Sequence, residues 1–207
     1  MKVTLIGTGN MGAALAGHIA KAGHTLTITG RDAAKATALA QAVGATFRYQ
    51  GAADGADLVV LATGYADALP ALKTAGGLDG RVVIDITNPL TPDYMGLTLG
   101  HSTSAAEEIQ KALPKALVVK AFNTVFAQVL AAGPTLAGET VPVYFAGDDA
   151  AAKAAVKALI ESTGFAAVDA GGLRNARYLE PLAGLNIYLG YGAGQGTAIA
   201  PKWIGLK

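Results

Sequence analysis

The sequence predicts an α/β fold in which helices cover both faces of a doubly wound, mostly parallel sheet. Short apolar runs that are typical of buried strands alternate with alanine-rich, helix-like segments along almost the whole chain. Hydrophobic residues make up 52% of the 207 residues and charged residues 15%, which is enough apolar material for a large core. Right-handed crossovers between successive parallel strands then give the doubly wound topology.

The predicted strands are the apolar runs, and the predicted helices lie between them. Strands are expected at 3–6, 26–29, 46–49, 58–62, 82–86, 117–120, 143–146 and 165–169. Helices are expected at 10–22, 33–43, 65–74, 105–113, 125–132, 149–163 and 173–190. Gly23 and Gly44 follow the first two helices, in the position that glycine favours after a helix C-terminus. Ser104 and Glu107 form the pattern of a capping box before the fourth helix.

A glycine-rich loop joins the first predicted strand to the first predicted helix. It has the spacing Gly7-x-Gly9-x-x-Gly12. In this pattern Gly7 permits a tight turn, Gly9 lets the backbone approach a pyrophosphate, and Gly12 lets the helix pack close to the strand. The free N–H groups of the helix N-terminus then face the phosphates. The loop therefore predicts a Rossmann-type domain that binds a dinucleotide.

The end of the second predicted strand bears on the choice between NAD and NADP. Arg31 comes directly after Gly30 and is suited to a bidentate contact with a 2′-phosphate, and Lys35 lies one helical turn later. Asp32 is open to two other interpretations, a contact with the 2′-hydroxyl of NAD or a cap on the second helix. The two basic residues favour NADP(H).

Composition and charge argue against several other classes of protein. A net charge of +1 without a basic stripe predicts no nucleic-acid partner and no membrane surface. The chain has no cysteine, and its three histidines lack metal-ligand spacing, so no metal site is predicted. The uncharged stretches 121–138 and 181–201 contain glycines and polar residues, so we expect buried structure there rather than membrane spans. The expected location is the cytoplasm.

The chain divides into a dinucleotide-binding domain at 1–169 and a C-terminal helix with a glycine-rich tail at 170–207. The tail is too short for a separate substrate domain, so we expect it to complete an acceptor pocket. Its helix carries leucine and isoleucine on more than one face, at Leu182, Leu185, Ile187 and Leu189. This distribution predicts a homodimer.

Several segments resemble a known family. Residues 7–12, 30–36, 104–107 and 169–177 resemble the NADPH:coenzyme F420 oxidoreductases. Residues 118–124, Val-Val-Lys-Ala-Phe-Asn-Thr, are similar to the cytosolic oxidoreductase domain of six-transmembrane metalloreductases of the same superfamily. The resemblance covers essentially the whole chain.

The resemblance implies hydride transfer between NADP(H) and a flat small-molecule acceptor, either coenzyme F420 or a flavin. By position it implies that Thr8, Asn10 and Met11 contact the pyrophosphate, in the loop that contains Gly7, Gly9 and Gly12. Gly30, Arg31 and Lys35 would hold the adenine ribose phosphate. The middle of the cofactor would pass Thr63 and Gly64. The nicotinamide would lie near Asn88, Pro89, Ala121, Phe122 and Asn123.

No catalytic residue is predicted, because hydride transfer between stacked rings needs orientation more than acid–base groups. His101 is expected to be exposed in the loop after the fifth strand. Lys120 ends a strand, where a lysine paired with a carboxylate is more common than a catalytic lysine. Tyr188 and Tyr191 are either walls of an acceptor pocket or core and interface residues.

Two other functions stay open at this point, as does the acceptor. The chain is alternatively a reductase of a small carbonyl or imine compound, or a NADP(H)-binding sensor without catalysis. A quinone or another small oxidant is also open as the acceptor. Small residues beside the nicotinamide, at Thr63, Gly64 and Ala121, would leave room for a second ring and so favour the reductase.

Overall fold

A central sheet of eight strands, with the order β10-β9-β6-β5-β4-β1-β2-β3, forms the middle layer of the molecule. The computed structural model describes residues 1–206, so Lys207, the last residue of the predicted tail, lies outside the described residues. The strands are β1 Lys2–Ile6, β2 Thr25–Thr29, β3 Thr46–Phe47, β4 Leu58–Leu61, β5 Val82–Asp85, β6 Leu117–Ala121, β9 Pro142–Gly147 and β10 Ala166–Asp169. A separate two-stranded hairpin consists of β7 Thr135–Leu136 and β8 Glu139–Thr140.

Helices cover both faces of this sheet. They are α1 Asn10–Lys21, α2 Ala33–Val43, α3 Ala68–Ala75, α4 Ala105–Ala112, α5 Ala127–Ala132, α6 Ala150–Ser162 and α7 Ala176–Ile187. A 3₁₀ turn precedes α3 and another precedes α7, and a π-helical turn at Tyr188–Gly192 continues α7. No helix within residues 1–206 is long and apolar enough to span a membrane.

Each face of the sheet has its own core. Helices α1, α2, α5 and α6 pack on one face, where Leu15, Ile19 and Val156 are fully buried. Helices α3 and α4 pack on the other, with Leu72 and Ile109 at its centre. The start of the C-terminal segment joins this second face through Leu173 and Ala176. The start of the C-terminal segment therefore packs directly on the sheet that precedes it.

The predicted doubly wound, mostly parallel sheet is confirmed. Strands β3, β2, β1, β4, β5 and β6 run parallel, and their carboxyl ends meet at one edge of the sheet. In such sheets ligands bind at that edge, next to the point where the strand order reverses. Here the order reverses between β1 and β4, where the glycine loop lies.

Three features differ from the sequence-based expectation. Strand β9 runs antiparallel to β6, the hairpin β7–β8 was not expected, and α5 begins at Ala127 rather than at residue 125. All six residues of β9 are buried. A strand that is buried along its whole length has the same apolar pattern in either direction, so the pattern could not show the reversal.

Candidate functional site

Two adjoining cavities lie along the carboxyl edge of the sheet. The larger has a volume of about 820 Å³ and the smaller about 480 Å³. Gly9, Thr63 and Gly64 line both cavities, so the glycine loop and the end of β4 lie where the two meet. An elongated cleft that centres on a phosphate-binding loop has the form that an extended dinucleotide requires.

The fold requires glycine at two of the three positions in the loop but not at the third. Gly7 has a φ of 111°, and a Cβ there would lie 2.3 Å from the Ala62 carbonyl oxygen. A Cβ at Gly12 would lie 2.2 Å from the Gly7 carbonyl oxygen. At Gly9, by contrast, a Cβ would meet no atom within 4 Å. Gly7 and Gly12 are therefore needed for packing, whereas Gly9 leaves open space beside the start of α1.

The N-terminus of α1 carries no side-chain cap. Its N-cap residue is Gly9, which has no side chain to accept a hydrogen bond from the first turn. In α2, α4 and α6, by contrast, the side chains of the N-cap residues Asp32, Ser104 and Asp149 accept such a bond. The first N–H groups of a helix need an acceptor from outside the helix. A helix start that opens onto a cleft beside a bare glycine is suited to a phosphate.

The smaller cavity contains the cationic side chains that the sequence analysis selected. Arg31 and Lys35 line it, together with Asp67. Arg31 Nη1 lies 3.5 Å from Asp67 Oδ1, and the two side chains are 88% and 56% exposed. The Lys35 backbone N–H donates to Asp32 Oδ1 at 3.0 Å. Asp32 therefore caps α2, which was one of the two interpretations left open for it.

The larger cavity is built around a pair of asparagines. Asn123 Nδ2 donates to Asn88 Oδ1 at 3.0 Å and to the Leu179 carbonyl at 2.9 Å. Asn88 Nδ2 donates in turn to the Asn123 carbonyl at 3.0 Å. These bonds fix the ends of β5 and β6 relative to α7.

Three polar atoms of residues that line this cavity are buried without a hydrogen-bond partner. They are Thr87 Oγ1, Asn123 Oδ1 and Thr124 Oγ1. A buried polar atom without a partner costs about 1–3 kcal/mol, so native proteins rarely keep several together without a reason. The three atoms have almost no accessible surface, so a polar ligand in the cavity would reach them only after a small side-chain movement.

The backbone between β6 and α5 is strained. Phe122, which is 1% exposed, has a φ of +61°. A bulky residue in the left-handed region is unfavourable and persists only where the surroundings hold it. Phe122 directly precedes the cavity residues Asn123 and Thr124, so the strain lies at the site itself.

A buried ionic cluster connects the strands and helices that form the larger cavity. Lys120 Nζ lies 2.8 Å from Asp85 Oδ2 and 2.8 Å from Glu180 Oε1, and the three side chains are at most 1% exposed. Lys120 also donates to the Thr87 carbonyl. Glu180 accepts from the backbone N–H groups of Ala105 and Ala106 at the start of α4. The cluster thus ties β5, β6, α4 and α7 together.

The structure brings together most of the residues that the sequence selected. All of the predicted cofactor contacts line one cavity or the other except Gly12, Pro89 and Ala121. Phe122, which the resemblance also placed near the nicotinamide, does not line the cleft either. Ala121 is fully buried beneath the cleft, so it is not one of the small residues that leave room for a second ring.

The other candidates have clear positions as well. His101 is exposed and lines neither cavity, and Lys120 has carboxylate partners, as the more common interpretation of a strand-end lysine required. Tyr191 lines the larger cavity, whereas Tyr188 is 53% exposed and does not.

Several residues that line the larger cavity were not predicted from the sequence. The main ones are Asp93, Tyr94, Met95, Phe126 and Asn186. The length of the proline-containing loop after the fifth strand was the one available signal for the first three, because such loops often carry functional residues. Glu180 carried no signal, since its partner Lys120 is 60 residues away in the sequence.

The fold and the cleft together define a dinucleotide-binding protein of the Rossmann class. Comparisons with known proteins make this more specific. A family model described as NADP oxidoreductase, coenzyme F420-dependent, matches residues 2–89. The F420-dependent NADP reductase of Methanothermobacter marburgensis is 31% identical to the chain, over 91% of this chain and 92% of that protein.

A solved structure and a second curated relative are also similar to the chain. A crystal structure from Arthrobacter sp. FB24, provisionally described as an F420-dependent NADP reductase, has a TM-score of 0.87 and 34% identity. The match covers 98% of this chain and 99% of that one. The metalloreductase STEAP3 of Rattus norvegicus is 26% identical over 87% of this chain, which spans only 36% of that longer protein.

The chain belongs to the family of coenzyme F420-dependent NADP oxidoreductases. It is therefore an NADP-dependent oxidoreductase.

Proposed function

We propose that the protein transfers hydride between NADP(H), bound along the cleft, and a flat flavin-like acceptor in the outer part of the larger cavity. The observation that carries this proposal is the two-part cleft itself. Its smaller part has cations and its centre has an open helix N-terminus, while its larger part has mainly apolar and neutral polar walls. Such a cleft suits a phosphorylated cofactor followed by two stacked rings.

The adenine end of the cofactor is assigned to the smaller cavity. Arg31 and Lys35 would bind the 2′-phosphate, since both line this cavity and the contact of Arg31 with Asp67 is long and exposed. The backbone N–H groups at the start of α1, with Thr8, Asn10 and Met11, would bind the pyrophosphate. Gly30 and Gly64 would leave space for the sugar–phosphate chain.

The nicotinamide is assigned to the inner end of the larger cavity. When bound, NADPH supplies a hydride from its nicotinamide ring, and the reduced acceptor takes up one proton from solvent. After a small side-chain movement, Asn123 Oδ1 would accept a hydrogen bond from the carboxamide, because it has no other partner and the amide nitrogen already donates to Asn88 and Leu179. The hydroxyl groups of Thr87 and Thr124 offer further partners.

The acceptor is assigned to the outer part of the larger cavity, where aromatic, aliphatic and thioether side chains form the walls. These side chains are Leu90, Tyr94, Met95, Phe126, Ile187 and Tyr191. Their contribution is to orient one ring on another and to exclude water, which is what hydride transfer needs most. The reductase of Methanothermobacter marburgensis is named for coenzyme F420, so a deazaflavin is the first candidate and a flavin the second.

The test is turnover with a panel of acceptors. NADPH absorbance would be followed after mixing the protein with coenzyme F420, FMN, FAD or a quinone. We expect rapid oxidation with at least one tricyclic acceptor and slow oxidation when NADH replaces NADPH. Tight NADPH binding without turnover on any acceptor would contradict the proposal and favour a sensor or a carbonyl or imine substrate.

A further inference from the structure

The larger cavity differs from the smaller one in charge. Among the residues within 1–206 that line it, no side chain is lysine, arginine or histidine. Apart from tyrosine hydroxyls, the one ionisable group among them is the carboxyl of Asp93. The remaining polar lining comes from neutral threonine, asparagine, glutamine and tyrosine side chains. The walls of this cavity thus carry a single negative charge.

The cationic side chains of the cleft lie at its other end, in a lining that also contains the carboxylates of Asp32 and Asp67. Arg31 and Lys35 line the smaller cavity, and the helix N-terminus at Gly9 lies where the two cavities meet. These groups are already assigned to the phosphates of the dinucleotide. Beyond the nicotinamide position, the described lining offers no charge that would attract an anion.

Asp93 is held in place by its own loop. Its Oδ1 accepts hydrogen bonds from Thr91 Oγ1 at 2.5 Å and from the Met95 N–H at 3.1 Å. The Thr91 N–H donates to the Gly96 carbonyl at 2.9 Å, which closes the loop on itself. The hydrogen bond from Thr91, together with that from Met95, lowers the pKa of Asp93, so the carboxyl is ionised at neutral pH.

The same loop supplies walls for a ring. Tyr94 and Met95 follow Asp93 directly, and all three line the cavity. A ligand ring that packs on Tyr94 and Met95 would therefore carry any attached phosphate close to a fixed carboxylate. Because the Asp93 side chain is exposed, water and salt screen its repulsion of a phosphate, and the effect on binding should be modest.

We propose that this protein recognises its acceptor through an uncharged ring system, and that a phosphate on the acceptor contributes no binding energy and is disfavoured by Asp93. The inference rests on the proposed function, which places the acceptor in the larger cavity. It adds the chemical class that the cavity selects, which is a neutral flavin or deazaflavin riboside rather than its phosphorylated form.

Two matched pairs of compounds test this. Riboflavin and FMN differ by one phosphate, and the deazaflavin riboside differs from coenzyme F420 by its anionic tail. Binding would be measured by flavin fluorescence with NADP⁺-saturated protein, and kcat/KM by NADPH oxidation. We expect the neutral member of each pair to match or exceed the anionic one, with any deficit of FMN shrinking as salt screens the repulsion. An anionic member favoured tenfold or more would overturn the inference.

A variant that removes one negative charge tests whether Asp93 causes the preference between riboflavin and FMN. Asp93→Asn keeps the size of the side chain and removes its charge, so the ratio of FMN to riboflavin binding should rise by about two- to fivefold, as expected for one exposed charge. Asp79→Asn is the matched control, because it makes the same change in net charge at a residue that lines neither cavity. The control should leave the ratio unchanged. An equal change in both variants would contradict the role of Asp93.

The two proposals fail in different ways. Binding of both flavins without turnover of any acceptor would contradict hydride transfer, while the ratio of the two dissociation constants would still test the charge preference. Turnover with a strong preference for FMN would leave the proposed function intact and overturn the charge preference alone. Failure to bind any of the four compounds would overturn both.

Discussion

At the scale of single residues, the glycines of the phosphate loop separate folding from binding. Gly12 lies against the backbone of Gly7, so any larger residue there would disturb the packing of α1. A Cβ at Gly9 would have no neighbour within 4 Å, and the φ of −72° at this residue is one that alanine adopts without strain. The fold therefore does not require glycine at this position, and we propose that the pyrophosphate occupies the space beside it.

This difference gives the first prediction. Gly9→Ala should fold with unchanged thermal stability but bind NADPH at least about tenfold more weakly, because the new methyl group occupies space assigned to the pyrophosphate. Thermal unfolding and a fluorescence titration of NADPH would measure the two effects.

The control for this substitution lies in the same helix. Gly17 is exposed on α1, and a Cβ there would meet no atom within 4 Å, so Gly17→Ala should stabilise the protein by about 0.5–1 kcal/mol and leave NADPH binding unchanged. If Gly9→Ala binds NADPH as tightly as the native protein, the phosphate is not bound where we propose.

Arg31 and Asp67 give the second prediction, which concerns cofactor specificity. The Arg31 side chain is 88% exposed, so its contact with a 2′-phosphate is screened by solvent. Arg31→Ala should therefore weaken NADPH binding by about tenfold, near the lower end for a charge-assisted contact, and leave NADH nearly unchanged. Equal losses for the two cofactors would contradict a contact with the 2′-phosphate.

Asp67 should have the opposite effect, because its carboxylate competes for Arg31 and repels a phosphate in the same cavity. Asp67→Asn is expected to tighten NADPH binding a few-fold, in parallel titrations with the Arg31 variant. Lys115→Ala removes an equal charge from a remote surface pair and serves as the control for Arg31→Ala.

At the scale of elements, the buried cluster of Asp85, Lys120 and Glu180 determines how α7 sits on the sheet. Glu180 belongs to α7, contacts Lys120 at the end of β6 and accepts from the N-terminus of α4, where a negative charge is favoured. Because α7 also carries Asn186 and Ile187, the cluster positions one wall of the larger cavity.

The third prediction follows from removing the cation of this cluster. Lys120→Met would leave two buried carboxylates without their partner, so the free energy of unfolding should fall by about 3–5 kcal/mol. Urea denaturation followed by circular dichroism would measure it. Glu180→Gln, which keeps the shape and some of the hydrogen bonds, should cost less and provides a readout if Lys120→Met does not fold.

The exposed pair of Lys115 and Asp79 is the matched control for this experiment. Its atoms lie 2.9 Å apart, close to the distances in the buried cluster, but both side chains are about three-quarters exposed. Lys115→Met should therefore leave the free energy of unfolding nearly unchanged. A loss from Lys120→Met as small as that from the control would show that the cluster does not hold α7 in place.

At the scale of the whole molecule, the features that could be predicted from the sequence are those that short sequence patterns determine. Apolar runs located the strands of the sheet, and the glycine loop with Arg31 located the cleft, because each signal lies within a few residues. The direction of β9 and the partner of Lys120 depend on contacts between distant segments. The walls formed by Asp93, Tyr94 and Met95 depend on the path of an irregular loop, for which no periodicity exists.

One predicted feature of the whole molecule concerns its association. Tyr178, Leu185 and Leu189 lie on one face of α7 and its continuation, and they are 74%, 54% and 39% exposed. Trp203 and Ile204 in the C-terminal tail are also exposed, at 53% and 102%. Large apolar side chains that are exposed together commonly mark a protein interface. We therefore propose, as the fourth prediction, that this face joins two copies of the chain.

Leu185→Glu tests the proposed dimer because it places a charge within the apolar face without touching the cleft, whose lining does not include Leu185. The native protein should sediment as a dimer at micromolar concentration and the variant as a monomer with unchanged circular dichroism. Leu69→Glu is the control, since Leu69 is a similarly exposed leucine on α3 and should leave the dimer intact. A native protein that sediments as a monodisperse monomer would contradict the proposal, and the larger cavity would then have to bind its acceptor within a single chain.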